Sequence, residues 1–441
     1  MIPSSAVFEQ AVMAQLLTYD PLVQEYRSFF ALFDWFVVED WEAQRTGRGR
    51  PGHPLSAYLK AFLLRIQQGL RYATDLRHFL LQHPLLVIEL GFRLVLDRNQ
   101  PYGFDAEQTV PCSYWLRQQL HRLAPTLLQD LLHATVRALQ QEIPGLGEVV
   151  AFDVKHIYAW VRENNPRVYT PGRYDVTHHP SGDPDCRLGV KKRTNQVQAD
   201  GSTKEKKESL FGYGSGVAAC TDPVYGDVVV GEYTQPFNEG DVTYFRPLYR
   251  HSLLALQAYP THVTADAAYD AWYVYECAAR HGGIGAVPLN DHAHPGLVRD
   301  ADGTPRCSIG LRMIPTFTYA HPYGYRTRRY RCPLLHPTPT GTTCDHAQFK
   351  KGKGCQKDIN IELGGLMRVL VDRDGPLYHA VYNQRTACER INSQAQALGI
   401  ERPKVRNGRS VANLNTLIYL VINARVLAKA QSINRGLLHM N

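Results

Sequence analysis

The chain has 441 residues, more than one domain usually contains, so two or three domains with buried cores are expected. Its apolar content of 44% and charged content of 20% are ordinary for a globular protein, and its net charge of +8 is a weak indication of a polyanionic partner. The nine cysteines are scattered, there is no signal-peptide pattern, and no run of eighteen apolar residues occurs. A soluble cytoplasmic protein without a membrane partner is therefore expected.

The first segment, residues 1–145, is predicted to be helical. Leu55–Gly69 carries apolar residues at helical spacing and ends at a glycine, and two later stretches repeat the pattern. Arg45, Arg48 and Arg50 precede the first of these helices in a glycine-containing stretch. Two interpretations stay open: a DNA-binding domain, and a helical packing domain whose charges are only solvated.

From about residue 146 the pattern changes to strands. Glu148–Ile157 is an apolar, β-rich run with Asp153 near its centre, and a second short run ends at Asp266. A carboxylate within a buried strand is costly unless it is paired or bound to metal. Asp266 alone is a weak signal, because an Asp at a strand end is often a turn or cap residue. Asp270, close behind it, is assigned to a helix N-cap.

Strands and helices alternate between the two Asp residues. Residues 174–209, rich in Asp, Lys, Gly and Pro, are predicted to be a mobile loop. Phe211–Cys220 and Asp227–Tyr233 flank a glycine-containing turn and predict a hairpin. A helix over Val242–Gln257 leads to the second Asp run, and a further helix and a short apolar run follow.

The composition of residues 291–375 differs from that of the segments around them. A cluster of cations with interleaved aromatics suits backbone phosphates and exposed bases: Arg326, Arg328, Arg329 and Arg331. Four residues of this segment are candidate ligands of a structural zinc ion: Cys332, Cys344, His346 and Cys355. Their spacing is not the usual Cys-x2-Cys, so reduced cysteines without a metal remain the alternative.

The segment from Tyr382 to Glu389 is the most informative part of the sequence. Tyr382, Arg385 and Glu389 stand at offsets of 0, 3 and 7, so a helix presents them on one face. An ordinary amphipathic helix carries Leu or Ile there. Arg suits bidentate recognition of phosphate, and Glu suits a hard divalent cation. For this stripe alone, a solvated face with an Arg–Glu pair is the alternative.

Two strand-borne Asp residues and a helix-borne Glu, each more than a hundred residues from the next, form a rare set. Such a set provides the oxygen ligands for two cations about 4 Å apart over a phosphodiester. Asp153 is expected to bridge both ions, while Asp266 and Glu389 hold one each. Two Mg²⁺ or Mn²⁺ ions are the expected cofactors.

The order Asp, Asp and then Tyr-x2-Arg-x3-Glu resembles the DDE transposases of bacterial insertion sequences. In particular it is similar to the branch with a Tyr-Arg-Glu-Lys signature and an insertion before the final Glu. The resemblance covers most of residues 40–430. One position departs from it, because the family's Lys falls seven residues after the Glu, where this chain has Gln396. Arg402, Lys404 or Arg406 could replace that contact with phosphate.

The resemblance implies an α/β fold with a ribonuclease-H-like catalytic core, a mixed sheet flanked by helices. In that fold the first and fourth strands are adjacent, which would bring Asp153 and Asp266 together. The implied domains are a helical, DNA-end-binding domain (1–145), the first part of the core (146–290), an inserted basic and cysteine-containing domain (291–375), the completed core with the Glu389 helix (376–432) and a tail (433–441).

The resemblance also implies an enzyme that cuts and joins double-stranded DNA at the ends of a mobile element, as a homodimer on DNA in the bacterial cytoplasm. Tyr382 and Arg385 would clamp the phosphate beside the cut. Lys155 either approaches DNA or is an ordinary surface lysine. Two alternatives remain: a metal-dependent nuclease that never joins DNA, and a non-catalytic DNA-binding protein descended from a transposase. The second predicts loss of one carboxylate, and all three are present.

Overall fold

The computed structural model describes residues 5–44, 52–197, 203–290 and 298–438, so Arg45, Arg48 and Arg50 lie outside the described residues. The N-terminal part is helical, with α1 Ser5–Tyr19, α2 Pro21–Phe30, α3 Phe36–Ala43, α4 Leu55–Gln67, α5 Ala73–Gln82, α6 Pro84–Leu90, α7 Ala106–Thr109, α8 Ser113–Arg122 and α9 Pro125–Glu142.

Helix α9 shows how the sequence forms this layer. Pro125 occupies the first turn, where its missing N–H is not needed. Leu127, Leu131 and Leu139 stand at multiples of four residues and are fully buried, so they form one apolar face. That face packs against the long C-terminal helix and against the sheet. The helical layer therefore shares a core with the rest of the protein.

The main sheet is mixed and contains six strands within the described residues: β1 Val149–Tyr158, β2 Arg187–Val197, β3 Thr203–Asp222, β4 Gly226–Pro236, β5 His262–Ala265 and β6 Gly285–Ala286. β1 lies between β3, which is antiparallel to it, and β5, which is parallel to it. β6 extends the parallel part beyond β5, and β4 pairs with β3 on the other side. Helices cover the sheet, as an α/β fold with a mixed sheet requires.

The predicted loop over residues 174–209 is wrong in its second half. Residues 187–197 form β2, which pairs with β3 from Arg187↔Gly212 onwards. Composition was misleading here, because Lys and Asp are typical of loops, whereas backbone pairing with a neighbouring strand determines this conformation. The extra strand makes the Asp266 strand the fifth in the chain and leaves its position beside β1 unchanged.

The connections around the second Asp are helical, with α10 Phe245–Leu256 and α11 Trp272–Ala279. The following segment contains a three-stranded antiparallel sheet of β7 Ile314–Ala320, β8 Arg326–Arg331 and β9 Gln356–Asn360, together with α12 Ala347–Lys350 and α13 Leu363–Leu370. Helix α13 packs closely on α11, since a Cβ atom at Gly364 would lie 2.0 Å from the Trp272 carbonyl oxygen. The inserted segment is thus seated against the sheet through α11.

The chain ends in α14 Pro376–Tyr382, α15 Thr386–Ala397 and α16 Gly408–Leu438. Helix α16 is long and apolar enough to cross a membrane by length and composition, but 83% of its most apolar window is buried inside the protein. Asn423 interrupts the apolar pattern because its amide exchanges two 2.8 Å hydrogen bonds with the backbone of Val229 in β4. The helix is thereby fixed on the sheet.

Candidate active site

Asp153 lies within β1 at the point where the strand leaves its partner β5. The last paired residues of the two strands are Phe152 and Ala265, so Asp153 and Asp266 follow at equivalent positions. Asp153 accepts a 2.9 Å hydrogen bond from Asn392 Nδ2 of α15. Burial raises the pKa of its carboxyl to about 7, and the nearby charges of Asp266 and Asp241 act in the same direction. The predicted adjacency of the two Asp residues is therefore observed.

Asp266 ends β5, and its carboxylate accepts a 2.9 Å hydrogen bond from the Ala268 backbone N–H. A further carboxylate, that of Asp241, lies near Asp266, and the sequence analysis missed it. Burial raises the pKa of Asp241 to about 6, and the charge of Asp266 adds to the shift. Asp241 directly precedes the predicted helix over Val242–Gln257, where an Asp is typical of a helix N-cap. Its proximity to the other two is tertiary, so the sequence carried no signal for it.

Glu389 stands on α15, on the face predicted from the sequence. Its Oε1 atom is 2.6 Å from Arg385 Nη2, and the Arg385 guanidinium lies 5.8 Å from the centre of the Tyr382 ring. Tyr382 ends α14, Arg385 ends the 3-10 turn that follows, and Glu389 stands on α15, so the single helix predicted for the three residues is interrupted. Their side chains nevertheless form a connected stripe. The Glu389 side chain is 54% exposed and its carboxylate is held by Arg385, so the Arg–Glu pair of the alternative interpretation is formed. Arg385 also faces Asp153, where its charge opposes the rise of the Asp153 pKa.

Three carboxylates therefore meet with little positive charge to compensate them. Burial raises the pKa of the Tyr269 hydroxyl, and the charges of Asp153, Asp241 and Asp266 add to the shift. Within the described part of the chain, that hydroxyl and the Asn392 Oδ1 atom are buried without a hydrogen-bond partner. Uncompensated carboxylates beside orphaned polar atoms fit a hard divalent cation and its water ligands.

The carboxylates do not form a complete set of metal ligands in this arrangement. Among the residues that the structure describes, no group of three or more His, Cys, Asp or Glu side chains lies at metal-binding distances. The reason is visible for Glu389, whose carboxylate is turned along its own helix to Arg385. The arrangement brings Asp153 and Asp266 together and leaves Glu389 on the facing helix, paired with a cation.

Asp270 has a structural role that differs from the predicted N-cap. Helix α11 begins after Ala271, and the Asp270 side chain, which is 2% exposed, forms a two-pronged pair with Arg368 of α13. It also accepts hydrogen bonds of 2.8 Å from the Tyr275 hydroxyl and the Asn290 backbone N–H. The N-cap prediction is wrong because a cation from a distant segment, not the nearest helix, neutralises this carboxylate.

Lys155 is bonded within the protein. Its Nζ atom is 3.0 Å from Gln396 Oε1 and 4.0 Å from Glu401 Oε2, and its side chain is only 16% exposed. Gln396 occupies the position where the resembled signature has a Lys. The Lys155 ammonium of β1 therefore lies beside the helix position where that signature has a Lys.

The arginine cluster of β8 is partly neutralised. Arg326 pairs with Glu362 and Arg329 pairs with Asp358, each at 2.8 Å. Arg328 is exposed, and the Nε atom of Arg331 is buried without a partner in the described structure. The cluster thus offers phosphates less positive charge than its sequence indicates, and its contact with DNA stays a prediction.

The candidate zinc ligands are divided between two environments. Cys332 and Cys355 belong to a small apolar core that also contains Cys307 and Met313, and Cys344 packs against it. The imidazole of His346 is 3.3 Å from the Gln348 backbone N–H at the start of α12. A structural zinc ion remains a prediction.

No protein-family profile matches the chain, and no curated protein matches it. Among solved structures, the chain is similar to a piggyBac transposase synaptic complex with hairpin DNA, determined by cryo-EM, at a TM-score of 0.35 and 11% sequence identity. The similarity covers 94% of this chain and 76% of that chain. At this TM-score it carries no argument about function, which therefore depends on the site residues.

Proposed function

We propose that this protein is a DDE transposase, an enzyme that cuts and joins DNA at the ends of an insertion sequence with divalent metal ions. The observation that carries the proposal is the parallel pairing of β1 with β5, which places Asp153 and Asp266 side by side under the helix of Glu389. The order of strands around β1 supports a ribonuclease-H-like core, since an antiparallel neighbour lies on one side and parallel strands on the other.

Asp153, Asp266 and Glu389 would hold the metal ions, and Asp241 adds a carboxylate to the same cluster. Bound divalent cations supply an activated water or DNA 3′-hydroxyl and stabilise the leaving oxygen. The raised pKa of Asp153 is the consequence of burying carboxylates without a cation, and it favours binding of one. Asp241→Asn should therefore raise the Mg²⁺ concentration needed for cleavage.

The Arg385–Glu389 pair gives the site two arrangements. With Glu389 held by Arg385, the carboxylate and one guanidinium nitrogen occupy each other. Release of the pair frees both groups at once, the carboxylate for a cation and the guanidinium for a phosphate oxygen. Tyr382 supports the guanidinium from the ring side. Lys155, held by Gln396, adds a cation beside the same helix.

The test uses purified protein, Mg²⁺ and a library of DNA from its native genomic neighbourhood, with sequencing of cut ends and joined products. Asp153→Ala, Asp266→Ala and Glu389→Ala should each abolish cleavage and retain DNA binding. Asp345→Ala removes a fully exposed carboxylate and serves as the control. Cleavage without joining would assign the protein to the metal-dependent nucleases. DNA binding that is the same with and without Mg²⁺, with no cutting, would contradict the proposal.

A further inference from the structure

A short basic segment between α15 and α16 holds its cations against aromatic rings. Arg402, Lys404 and Arg406 alternate with the buried residues Pro403 and Val405, so the three cations share the outer face of a non-helical stretch. The segment is joined to the end of β1 by a 2.9 Å hydrogen bond from the Tyr158 backbone N–H to the Glu401 carbonyl. It is therefore a fixed element beside the strand that carries Asp153.

Two rings, one on the last residue of β1 and one just beyond it, support these cations. The Arg402 guanidinium lies 4.3 Å from the centre of the Tyr158 ring. The partly exposed Trp160 ring has Arg406 at 4.8 Å and the Lys404 ammonium at 5.6 Å. A cation over an aromatic face keeps its charge and its outward N–H groups while its position is restrained. Such groups are prepared for an anionic ligand and lose little entropy on binding it.

These cations differ from the arginines of the inserted segment in charge compensation. Within the described residues, none of Arg402, Lys404 and Arg406 forms an ion pair, whereas Arg306, Arg312 and Arg326 each pair with a carboxylate within 2.8 Å. An unpaired cation attracts phosphate without first breaking a bond within the protein. The segment after α15 thus carries three cations that no ion pair neutralises among the described residues.

Three neighbouring cavities make this surface a groove. One of about 530 Å³ is lined by Arg71, Gln396 and Lys404, and the carboxylate along it belongs to Glu401, 4.0 Å from Lys155. A second of about 520 Å³ lies between Trp160 and Arg402, and a third of about 550 Å³ between Lys404 and Arg117 of α8. Lys404 lines all three cavities. The groove runs from the α15 end of the candidate site to the N-terminal helices.

We infer that this groove, from Gln396 past Lys404 to Arg117, binds the sugar–phosphate backbone of the double-stranded DNA that leads away from the cut. The inference rests on the proposed function for the presence of DNA and adds the path that the DNA takes. Restrained cations at alternate positions, an aromatic surface between them and continuity with the carboxylate site are the features that a backbone track requires. The groove replaces the β8 cluster as the principal electrostatic contact.

The test compares two triple variants of the full chain that remove the same positive charge. The first is Arg402→Gln with Lys404→Gln and Arg406→Gln, and the matched control is Arg280→Gln with Arg306→Gln and Arg312→Gln, three arginines that pair with carboxylates. DNA binding is measured in EDTA over a range of salt concentrations, so that cleavage does not interfere. The groove variant should lower the log–log salt slope by up to about 2.7 and weaken binding by about tenfold or more at 0.15 M salt. The control should retain the wild-type slope.

A second measurement uses the wild-type protein and so does not depend on the folding of a variant. DNA should protect Lys404 from acetylation, read by mass spectrometry, while the exposed Lys350 reacts equally with and without DNA. Equal slopes for the two triple variants, or an unprotected Lys404, would overturn the groove and leave the proposed function standing if the wild type cuts DNA. Failure of the wild type both to bind and to cut DNA would overturn the proposed function as well.

Discussion

Replacing Asp153 by Asn should stabilise the metal-free protein while abolishing DNA cleavage. The carboxylate is buried beside Asp266 and Asp241, and burial raises its pKa from an ordinary value of 3.8 to about 7. An amide of the same shape removes the charge and can still accept the hydrogen bond from Asn392 Nδ2. Carboxylates that are placed together to bind a cation lower the stability of the protein when no cation is bound.

The size of the effect depends on pH, and its sign follows from the raised pKa. Below pH 3.8 the carboxyl is neutral in both the folded and the unfolded chain and has no effect. Between 3.8 and about 7 the folded protein binds the proton more tightly, so the ionisable side chain lowers stability progressively as the pH rises. Above pH 7 the loss is complete. Three pKa units correspond to about 4 kcal/mol as an upper limit.

The assay is denaturant unfolding in EDTA at pH 8 and at pH 4, with Asp345→Asn as the exposed control. At pH 8 Asp153→Asn should unfold at higher denaturant than the wild type, with a gain of about 2–4 kcal/mol in the free energy of unfolding, and at pH 4 the gain should almost vanish. Mg²⁺ at a hundredfold excess over its dissociation constant should then stabilise the wild type by about 2.7 kcal/mol and leave Asp153→Asn unchanged. Equal or lower stability of Asp153→Asn at pH 8 in EDTA would refute the reasoning.

Further predictions concern the residues around this carboxylate. Arg385→Lys should slow cleavage by about tenfold or more, because Lys cannot make two parallel hydrogen bonds to a phosphate, whereas Arg280→Lys, in another i,i+4 pair with Glu, should leave cleavage kinetics unchanged. Asp270→Asn should lower the free energy of unfolding by about 3–5 kcal/mol, measured in denaturant, because it removes the buried negative charge that pairs with Arg368. Lost cleavage with full stability would instead place Asp270 in the site. Burial raises the pKa of Glu232 from 4.5 to about 7, so this group adds to the fall of wild-type stability as the pH rises through that window. Glu232→Gln should make this slope shallower in pH-dependent urea titrations, with the Asp153 contribution remaining, and an unchanged slope would contradict the assignment.

The features that sequence predicted well are those set by local pattern. The stripe of Tyr382, Arg385 and Glu389 was predicted from helical spacing, and the three side chains are in contact although a 3-10 turn separates α14 from α15. The strand around Asp153 follows from an apolar, β-rich run, and its parallel neighbour follows from the order of strands and helices together with the family resemblance. Neither depends on which distant side chains meet.

The features that sequence missed depend on tertiary neighbours. Asp241 joins the carboxylates because the turn before α10 folds over the end of β1, and an Asp before a helix otherwise predicts a cap. Asp270 is neutralised by Arg368, which stands almost a hundred residues later in the chain. Arg329 is neutralised by Asp358 from the next strand of its sheet. Formal charge can be counted from sequence, but its compensation cannot.

The carboxylate cluster and the basic segment after α15 are related by the charge compensation that each of them lacks. Three carboxylates around Asp153, in the middle of β1, lie beside no fully available cation, and three cations after α15 lie beside no ion-pair partner among the described residues. Lys155, on β1 and bonded to Gln396 at the end of α15, stands between them. A chain folded only for stability gains by pairing such groups with each other, as it does at Asp270. On the proposed function, a phosphodiester accompanied by divalent cations would satisfy both groups of charges together, because the metal ions would neutralise the carboxylates and the backbone phosphates would neutralise the basic segment.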